Sequence, residues 1–390
     1  TMSTRSRRKR AGKAPRGAKE VFKGTMVGLS ALANFEDTHS MTRTDPSFQI
    51  SVQPSGRSFT ALGNETILGA AIAHGVGLPY GCKDGACGSC KCKKISGSVR
   101  HDTYQDKALS AAEEAAGYVL TCRAHAESDV VLEVRQVTDE RSFPVKKLPV
   151  RVAALERLSH DVMRLRLQLP ATERFKYHAG QYVEFVLAGG VRRAYSMATA
   201  PHLQETAPGL ELHLRHMPGG HFTEQAISTM KEKDILRIEG PFGSFFLRED
   251  STQPIILLAS GTGFAPIQAI LQHMQHQGIE RPTTLYWGAR RPQDLYLHHE
   301  VQALLEQMPQ LRYVPVVSDA LPEDGWTGRT GFVHQAVLDD FADLSNFQVY
   351  ACGAPIVVES ARTSYTSTRG LPAEAFFADA FTSEADKHGG

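Results

Sequence analysis

Apolar and polar residues follow three different patterns along the 390-residue chain. In "FQISVQPSGRSFTAL" from Phe48 and "VVLEVRQV" from Val130 they alternate, which predicts half-buried strands, and the intervening "ETILGAAIAHGVG" has the spacing of a helix. From Val150 to Phe245, short alternating segments such as "VMRLRLQLP" and "QYVEFVLA" are separated by glycine-containing turns, a pattern typical of an antiparallel β-barrel. Beyond Gln253, apolar strands alternate with amphipathic helices, beginning with "PIILLASGTG" and "FAPIQAILQHMQHQG", which predicts a parallel sheet.

These patterns predict a multidomain protein of the α+β and α/β classes. Residues 1–47 are expected to form a basic, disordered N-terminal extension, because they lack apolar periodicity. Residues 48–138 form the first folded module and 139–148 a polar, proline-containing linker. Residues 149–251 form the antiparallel β-barrel domain, and residues 252–390 form the parallel α/β domain.

Composition excludes several classes of protein. Charged residues make up 22% of the chain, and no apolar run approaches the ~20 residues of a transmembrane helix, so we expect no membrane span. Residues 1–40 carry nine Lys/Arg against three Asp/Glu, which leaves 34 against 39 in the rest of the chain. The basic residues 1–40 could bind nucleic acid. The rest of the chain is mildly acidic, however, so we do not expect a nucleic-acid partner. No apolar signal core follows the arginines, so we expect a cytoplasmic protein.

Four of the six cysteines lie in "GCKDGACGSCKCK", residues 81–93. Cys82, Cys87 and Cys90 have the spacing C-x4-C-x2-C, and Cys122 follows after 31 intervening residues. This spacing is typical of plant-type [2Fe–2S] clusters. The small residues between the ligands allow the main chain to wrap an anionic cluster and to direct backbone N–H groups at its sulfurs.

A zinc site is the alternative for these cysteines. Structural zinc is usually bound by two C-x2-C pairs or by cysteines together with histidines, whereas one such pair, Cys87 and Cys90, is present here. Cys92 lies two residues beyond a ligand, and we interpret it as a structural thiol. We therefore predict a [2Fe–2S] cluster whose metal ligands are Cys82, Cys87, Cys90 and Cys122.

The first module resembles plant-type ferredoxins, in which strands, one helix and the cluster loop form a β-grasp fold. The barrel and the α/β domain resemble the ferredoxin–NADP⁺ reductase superfamily, because four motifs of that superfamily occur here in its order. The first motif is "RAYS". The resemblance implies that Arg193 pairs with a flavin phosphate, that Tyr195 packs on the isoalloxazine ring and that the Ser196 hydroxyl reaches flavin N5, where it is catalytic.

The second motif is "HMPGGHFT", in which Gly219, Gly220 and Thr223 precede a predicted helix. Such a loop frees backbone N–H groups for a pyrophosphate, which favours FAD over FMN. The third motif is "GTGFAP", which directly follows a buried strand and opens a helix, as expected of a pyridine-nucleotide phosphate site. Its predicted cofactor-binding residues are Gly261, Thr262, Gly263 and Pro266.

The fourth motif is "YACGAP" at the end of a predicted strand. The resemblance implies that Cys352 and Gly353 lie against the nicotinamide, with Cys352 beside the hydride-transfer centre. Phe381 in "FFADAF" is expected to take the place of the terminal aromatic residue that covers the flavin. The segment "TSEADKHGG" follows it, which is longer than that position requires.

Three cofactors together solve one electronic problem. NAD(P)H delivers two electrons as a hydride, whereas a [2Fe–2S] cluster carries one electron at a time. FAD can accept the two electrons together and release them one at a time. The resemblance therefore implies an oxidoreductase that passes electrons from NAD(P)H through FAD and the cluster to a partner protein. Reductases of this kind serve a sugar dehydratase or an oxygenase component, and "GLPYGCKDGACGSCK" with "YWGARRPQDLYL" looks most like the CDP-6-deoxy-Δ3,4-glucoseen reductase group.

The choice of coenzyme is left open by the motifs. Basic residues near the ribose 2′ position favour NADPH, and Arg290 and Arg291 could supply them. Reductases of this group commonly carry arginine here and use NADH, so NADH is the expected coenzyme.

Two other functions are compatible with parts of the chain. One is a general NAD(P)H-dependent flavin or ferric reductase. The other is a non-catalytic module, in which the cysteines bind zinc, the α/β domain is a nucleotide sensor and the basic tail binds nucleic acid.

Overall fold

A computed structural model describes residues 45–138, 143–216, 223 and 229–382. The described chain contains three large sheets. The predicted extension 1–47 lies almost wholly outside the described residues, and the first strand begins at its last residue, Ser47. No helix among these residues is long and apolar enough to cross a membrane.

The first sheet has five strands in the order β2-β1-β7-β3-β5. Its strands are β1 (Ser47–Gln53), β2 (Arg57–Leu62), β3 (Lys91–Ser96), β5 (Tyr118–Leu120) and β7 (Val130–Glu133), and a separate two-stranded sheet pairs β4 (Val99–His101) with β6 (Ala124–Ala126). β1 pairs in parallel with β7 and antiparallel with β2. The central strands therefore bring the two ends of this module together, as expected of a β-grasp fold.

Two short helices cover this sheet, α1 (Ile67–Ala73) and α2 (Ala111–Ala115). α1 begins where the Thr66 hydroxyl accepts a hydrogen bond from the Gly69 N–H, and its apolar residues are buried against the sheet. α2 begins with a capping box, in which the side chains and backbones of Ser110 and Glu113 bond reciprocally.

The second sheet has six antiparallel strands in the order β11-β10-β13-β8-β9-β12. They are β8 (Lys146–Arg157), β9 (Val162–Gln168), β10 (Tyr182–Val186), β11 (Arg192–Ser196), β12 (Gly209–Arg215) and β13 (Ile235–Phe242). A bridge between Met197 and Leu212 joins the two outer strands and closes the sheet into a barrel. β8 begins inside the range predicted as a linker, because Lys146–Gly240 is already a ladder pair with β13.

The third sheet is parallel throughout, with the order β17-β16-β15-β14-β18-β19. Its strands are β14 (Ile255–Ser260), β15 (Thr283–Ala289), β16 (Leu311–Val317), β17 (Arg329–Thr330), β18 (Gln348–Gly353) and β19 (Phe376–Ala380). Its helices are α3 (Phe264–Gln277), α4 (His298–Leu305), α5 (Val333–Asp340) and α6 (Pro355–Thr368). The first four residues of β14 are buried to 1% exposure or less, because helices cover both faces of the sheet.

The strand order reverses between β14 and β18. In open α/β sheets, ligands bind at the carboxyl ends of the strands where the order reverses. The "GTG" motif follows β14 directly, and the "CG" motif forms the last two residues of β18. The fold therefore places both predicted nucleotide motifs at the position where a dinucleotide is expected.

The first module packs against both of the others. Tyr182 and Phe242 of the barrel lie in the apolar core of the first module. The Tyr80 N–H donates to Ser244 Oγ at 2.9 Å, and the Gln136 side chain donates to the carbonyl of Glu374 at 2.7 Å. The predicted domain boundaries stay predictions, but the three sheets lie where the three sequence patterns indicated.

Candidate active site

The four predicted metal ligands come together in the first module, three from one loop and one from a second segment. Cys82, Cys87 and Cys90 lie between α1 and β3, and Cys122 follows β5. The Cys90 and Cys122 sulfurs are 3.2 Å apart, and the Cys82 N–H donates to the Cys87 sulfur at 3.4 Å. Cys90 and Cys122 are buried, whereas Cys82 and Cys87 are partly exposed. Cys92, interpreted as a structural thiol, is buried on β3.

The backbone of this loop curves around the sulfurs. Lys83, Gly85 and Gly88 have positive φ angles of 61°, 75° and 72°, a conformation that glycine adopts without strain and that lysine seldom adopts. A Cβ atom on Gly81 would lie 3.4 Å from both the Cys87 sulfur and the Ser89 hydroxyl. The positive φ angles, and not this ordinary contact distance, are therefore the reason that glycine is favoured at positions 85 and 88.

Neighbouring thiols and burial shift the pKa values of Cys82, Cys87 and Cys122. The hydrogen bond with Cys82 is the largest effect that lowers the pKa of Cys87, to about 5, while the same interaction and burial raise the pKa of Cys82. The hydrogen bond with Cys90, followed by burial, raises the pKa of Cys122. The raised pKa values of Cys82 and Cys122 show that anionic sulfurs oppose one another here, which fits a site completed by metal cations, and an all-sulfur donor set fits iron–sulfur or zinc binding.

The "RAYS" motif forms β11, whose side chains alternate between two faces of the barrel wall. Arg193 and Tyr195 point to one face and are partly exposed, and Ser196 points to the other and is 6% exposed. The Tyr195 ring meets Phe185 edge to face at 5.8 Å, and burial raises the pKa of its hydroxyl. A cation, an aromatic ring and a hydroxyl therefore stand within four consecutive residues, as the resemblance requires of a flavin site.

Asp379 is the residue of this site that the sequence analysis missed. The Ser196 hydroxyl donates to Asp379 Oδ2 at 3.1 Å, and the Cys352 sulfur lies 4.0 Å from the same oxygen. Burial raises the pKa of Asp379 to about 7, although the bond from Ser196 acts in the opposite direction. The available signal was a carboxylate inside the otherwise apolar strand "FFADA", because a buried carboxylate is unusual.

The two nucleotide motifs pack backbone against backbone. A Cβ atom on Gly263 would collide with the Cys352 carbonyl, and one on Gly353 would collide with the Ser260 carbonyl. Gly353 has a φ angle of 121°, which adds conformational strain to any other residue there. Both glycines are therefore required for the loops after β14 and β18 to meet.

Two aromatic residues, Trp287 and Phe264, hold the loop after β14 in place. The Trp287 indole N–H donates to the Gly261 carbonyl at 3.0 Å, and the same ring stacks on Phe264 at 4.1 Å. Thr262 is nearly buried, and Pro266 occupies the first turn of α3, where its missing N–H leaves no hydrogen bond unmade. These contacts hold the loop with its backbone at the amino end of a helix, a position that favours anion binding.

The remaining predicted flavin residues are only partly described. Gly219 and Gly220 lie outside the described residues, and Thr223 is buried. The Phe381 N–H donates to the Gly353 carbonyl at 2.8 Å, which fixes this residue beside the end of β18. The roles predicted for these residues stay predictions.

The two candidate arginines of the coenzyme site are already paired. Arg291 forms two hydrogen bonds of 2.8 and 2.7 Å with Asp324, whose side chain is 9% exposed. Arg290 lies 3.5 Å from Asp319, and both of these side chains are exposed. Each of the two arginines therefore already forms an ion pair with a carboxylate.

Comparison with known proteins identifies the three modules. Residues 50–127 match the family described as "2Fe-2S iron-sulfur cluster binding domain", residues 149–247 the "Oxidoreductase FAD-binding domain" and residues 257–363 the "Oxidoreductase NAD-binding domain". These matches support the iron–sulfur flavoprotein prediction over the zinc-binding alternative.

Curated relatives share all three modules. The chain is 39% identical to a CDP-6-deoxy-L-threo-D-glycero-4-hexulose-3-dehydrase reductase of Yersinia pestis, over 86% of this chain and 98% of the relative. It is 36% identical to the terephthalate 1,2-dioxygenase reductase component 1 of a Comamonas species, over 87% and 99%. Among solved structures, the cytochrome P450 reductase GcoB of Amycolatopsis superimposes with a TM-score of 0.70 at 31% identity, over 86% of this chain and 99% of that one.

The fold and the site define an NAD(P)H-dependent oxidoreductase that carries a [2Fe–2S] cluster and FAD. The chain belongs to the family of iron–sulfur flavoprotein reductases in which a ferredoxin module precedes the FAD-binding and NAD-binding domains. The predicted fold, reaction class and cofactors are thereby confirmed.

Proposed function

We propose that this protein is the NADH-dependent reductase component of a two-protein system and that its cluster reduces a separate acceptor enzyme. The observation that carries the proposal is the meeting of Ser196 and Cys352 on Asp379. The two residues come from motifs predicted separately, one for the flavin and one for the nicotinamide. Their approach to one carboxyl group creates a place where a hydride donor and a hydride acceptor can be held together.

Each module then has one task in the proposed reaction. The loops after β14 and β18 bind the coenzyme, and Arg193, Tyr195 and Ser196 bind and orient the flavin, which supplies two-electron and one-electron chemistry when bound. Oxidation of one NADH releases NAD⁺, one proton and two electrons, which are enough to reduce the cluster twice in succession. Because the cluster would hold one electron at a time, each electron would have to pass to the acceptor before the next could enter.

The acceptor is proposed from the relatives. Their names include the reductase of a CDP-hexulose dehydrase and the reductase component of a dioxygenase. We favour the dehydrase of a CDP-linked 6-deoxy sugar as the acceptor, because the relative named for it is 39% identical across all three modules. An oxygenase component is the second candidate, and we place the reaction in the cytoplasm, where thiols for cluster assembly stay reduced.

NADH is proposed as the coenzyme because the two arginines near the predicted ribose site already bind carboxylates. A 2′-phosphate there would meet the charge of Asp319 as well as that of Arg290, whereas a ribose hydroxyl can donate to a carboxylate. The kcat/KM for NADH should exceed that for NADPH by at least about tenfold, the effect of ~1.4 kcal/mol. Asp319→Asn should raise the activity with NADPH, and Glu306→Gln, which changes an exposed carboxylate at the end of α4, should leave the ratio unchanged.

The acceptor is tested by reconstitution. The purified reductase, NADH and a purified CDP-sugar dehydrase should turn over its substrate anaerobically, and an oxygenase component without the dehydrase should not be reduced at a comparable rate. The reverse preference would contradict the dehydrase and support the oxygenase component.

A further inference from the structure

Strand β10 of the barrel contacts the cluster loop on both sides of one metal ligand. Its side chains alternate, so that Val183 and Phe185 enter the barrel core while Tyr182 and Glu184 point away from it. Tyr182 contacts Gly81, and Glu184 contacts Lys83. The two contacted residues are the immediate neighbours of Cys82.

The contact of Tyr182 is a buried hydrogen bond. Its hydroxyl donates to the Gly81 carbonyl at 2.7 Å, and the whole residue is 4% exposed. Its ring packs with Phe242 at a centroid distance of 5.8 Å. Gly243 has a φ angle of 93°, and a Cβ atom there would lie 2.9 Å from the Tyr182 ring. The barrel therefore leaves room for this ring by placing a glycine beside it.

The contact of Glu184 is a partly buried ion pair. The Lys83 ammonium lies 2.8 Å from Glu184 Oε1, and the Glu184 side chain is 7% exposed. The same ammonium lies 3.5 Å from the centre of the Phe242 ring, a cation–π distance. Arg192 binds the other oxygen of Glu184 at 2.9 Å, which holds the carboxylate in place.

The strand register connects the Tyr182 and Glu184 contacts to the flavin site. Tyr182 is the direct ladder partner of Ser196, so the two side chains leave the same face of the barrel wall about 5 Å apart. From Ser196 to the Cys82 peptide the route crosses one cross-strand pair, one tyrosine side chain and one hydrogen bond. The flavin strand and the Cys82 peptide are therefore linked through protein groups and not through solvent.

We propose that Tyr182 and Glu184 are positioning residues that hold the Cys82 side of the cluster against the flavin strand, so that electrons enter the cluster there. The inference rests on the flavin site proposed at Ser196. In each transfer the reduced flavin loses one electron and one ferric ion of the cluster becomes ferrous. The proton that accompanies oxidation of the flavin is released to solvent.

The test separates two steps of the same enzyme. Tyr182→Phe removes one hydroxyl, and the matched control is Tyr177→Phe, which removes a buried hydroxyl that donates to the Thr199 carbonyl at 2.7 Å inside the barrel. After anaerobic mixing with NADH, absorbance follows the flavin, and freeze-quench EPR follows the reduced cluster. We expect the flavin-to-cluster step to slow about fivefold in Tyr182→Phe, as loss of one buried hydrogen bond implies, with the NADH-to-flavin step unchanged. In the Tyr177→Phe control both steps should match the wild type.

A second readout does not depend on turnover. Hydrogen exchange of the backbone amides in residues 79–90 should become about fivefold faster in Tyr182→Phe and stay unchanged in the control. Lys83→Asn should give the same pattern, because asparagine tolerates the positive φ angle but cannot reach Glu184. Equal flavin-to-cluster rates and equal hydrogen exchange in all variants would overturn the proposed positioning role of Tyr182 and Glu184. A wild-type protein without flavin or cluster would instead overturn the proposed function.

Discussion

The cluster loop and the hydride-transfer site show two ways of building a redox centre. Three of the four cluster ligands lie within nine consecutive positions, from Cys82 to Cys90, and the loop alone largely determines their geometry. Ser196, Cys352 and Asp379 come from three strands in two domains, and the Ser196–Asp379 bond joins residues 183 positions apart. A local site depends on its own backbone, whereas an assembled site depends on how two domains pack. Substitutions should therefore affect the first in an all-or-none manner and the second by degrees.

The largest effect is expected from Cys87→Ser, which should abolish the cluster. The hydroxyl is a poor ligand for iron, and the hydrogen bond with Cys82 lowers the pKa of the Cys87 thiol to about 5, which favours the thiolate that ligates iron. Visible absorption and EPR should show FAD alone, and reduction of FAD by NADH should continue while reduction of cytochrome c is lost. Cys92→Ser is the control. Cys92 is close to the ligands in sequence but lies on β3 and is not one of the four predicted ligands, so this variant should retain the cluster. A fully active Cys87→Ser protein would show that electrons leave by another route.

The second effect is expected from Gly353→Ala in the nucleotide site. The new methyl group would collide with the Ser260 carbonyl at a φ angle of 121°, so the loops after β14 and β18 must separate. A displacement of ~1 Å at a hydride-transfer site can reduce the rate about 100-fold, and we expect that loss in kcat/KM for NADH, with FAD and the cluster both retained. Gly278→Ala also replaces a glycine of positive φ, but nothing lies within 4 Å of the added methyl group. It should lower stability slightly and leave kcat/KM intact; equal losses in both variants would mean that strain, and not the approach of the loops, is responsible.

These two predictions show what could be read from the chain itself. The ligand set of the cluster and the glycine motifs were predictable, because each depends on spacing within a few consecutive residues. The contacts of Asp379 with Ser196 and of Tyr182 with Gly81 were not, because they join residues 183 and 101 positions apart.

A smaller effect is expected from Ser196→Ala. Loss of one hydroxyl at the position where charge develops should slow reduction of FAD by NADH about 10- to 100-fold, while the cluster spectrum stays unchanged. The measurement is the rate of flavin bleaching after anaerobic mixing. Ser159→Ala, which removes a turn hydroxyl elsewhere in the barrel, is the control and should leave the rate unchanged. An unchanged rate in Ser196→Ala would remove this hydroxyl from the reaction.

The smallest effect is a pH dependence that Asp379 should impose. Burial raises its pKa to about 7, so the group is mostly neutral below that pH and anionic above it. An anion beside a centre that gains a hydride opposes the reaction, and flavin reduction should therefore slow as the pH rises through 7. In Asp379→Asn the rate should vary little between pH 6 and 8, since asparagine is neutral at every pH. A wild-type rate that rises over this range would contradict the assignment.

The central claim is that three redox groups act in one chain, and an anaerobic titration with NADH followed by visible absorption tests it most directly. FAD accepts two electrons and the cluster one, so about 1.5 equivalents of NADH should bleach both the flavin and the iron–sulfur bands. The reduced protein should also show the EPR signal of one [2Fe–2S] cluster. Bleaching of the flavin alone, complete at one equivalent of NADH, would contradict the account.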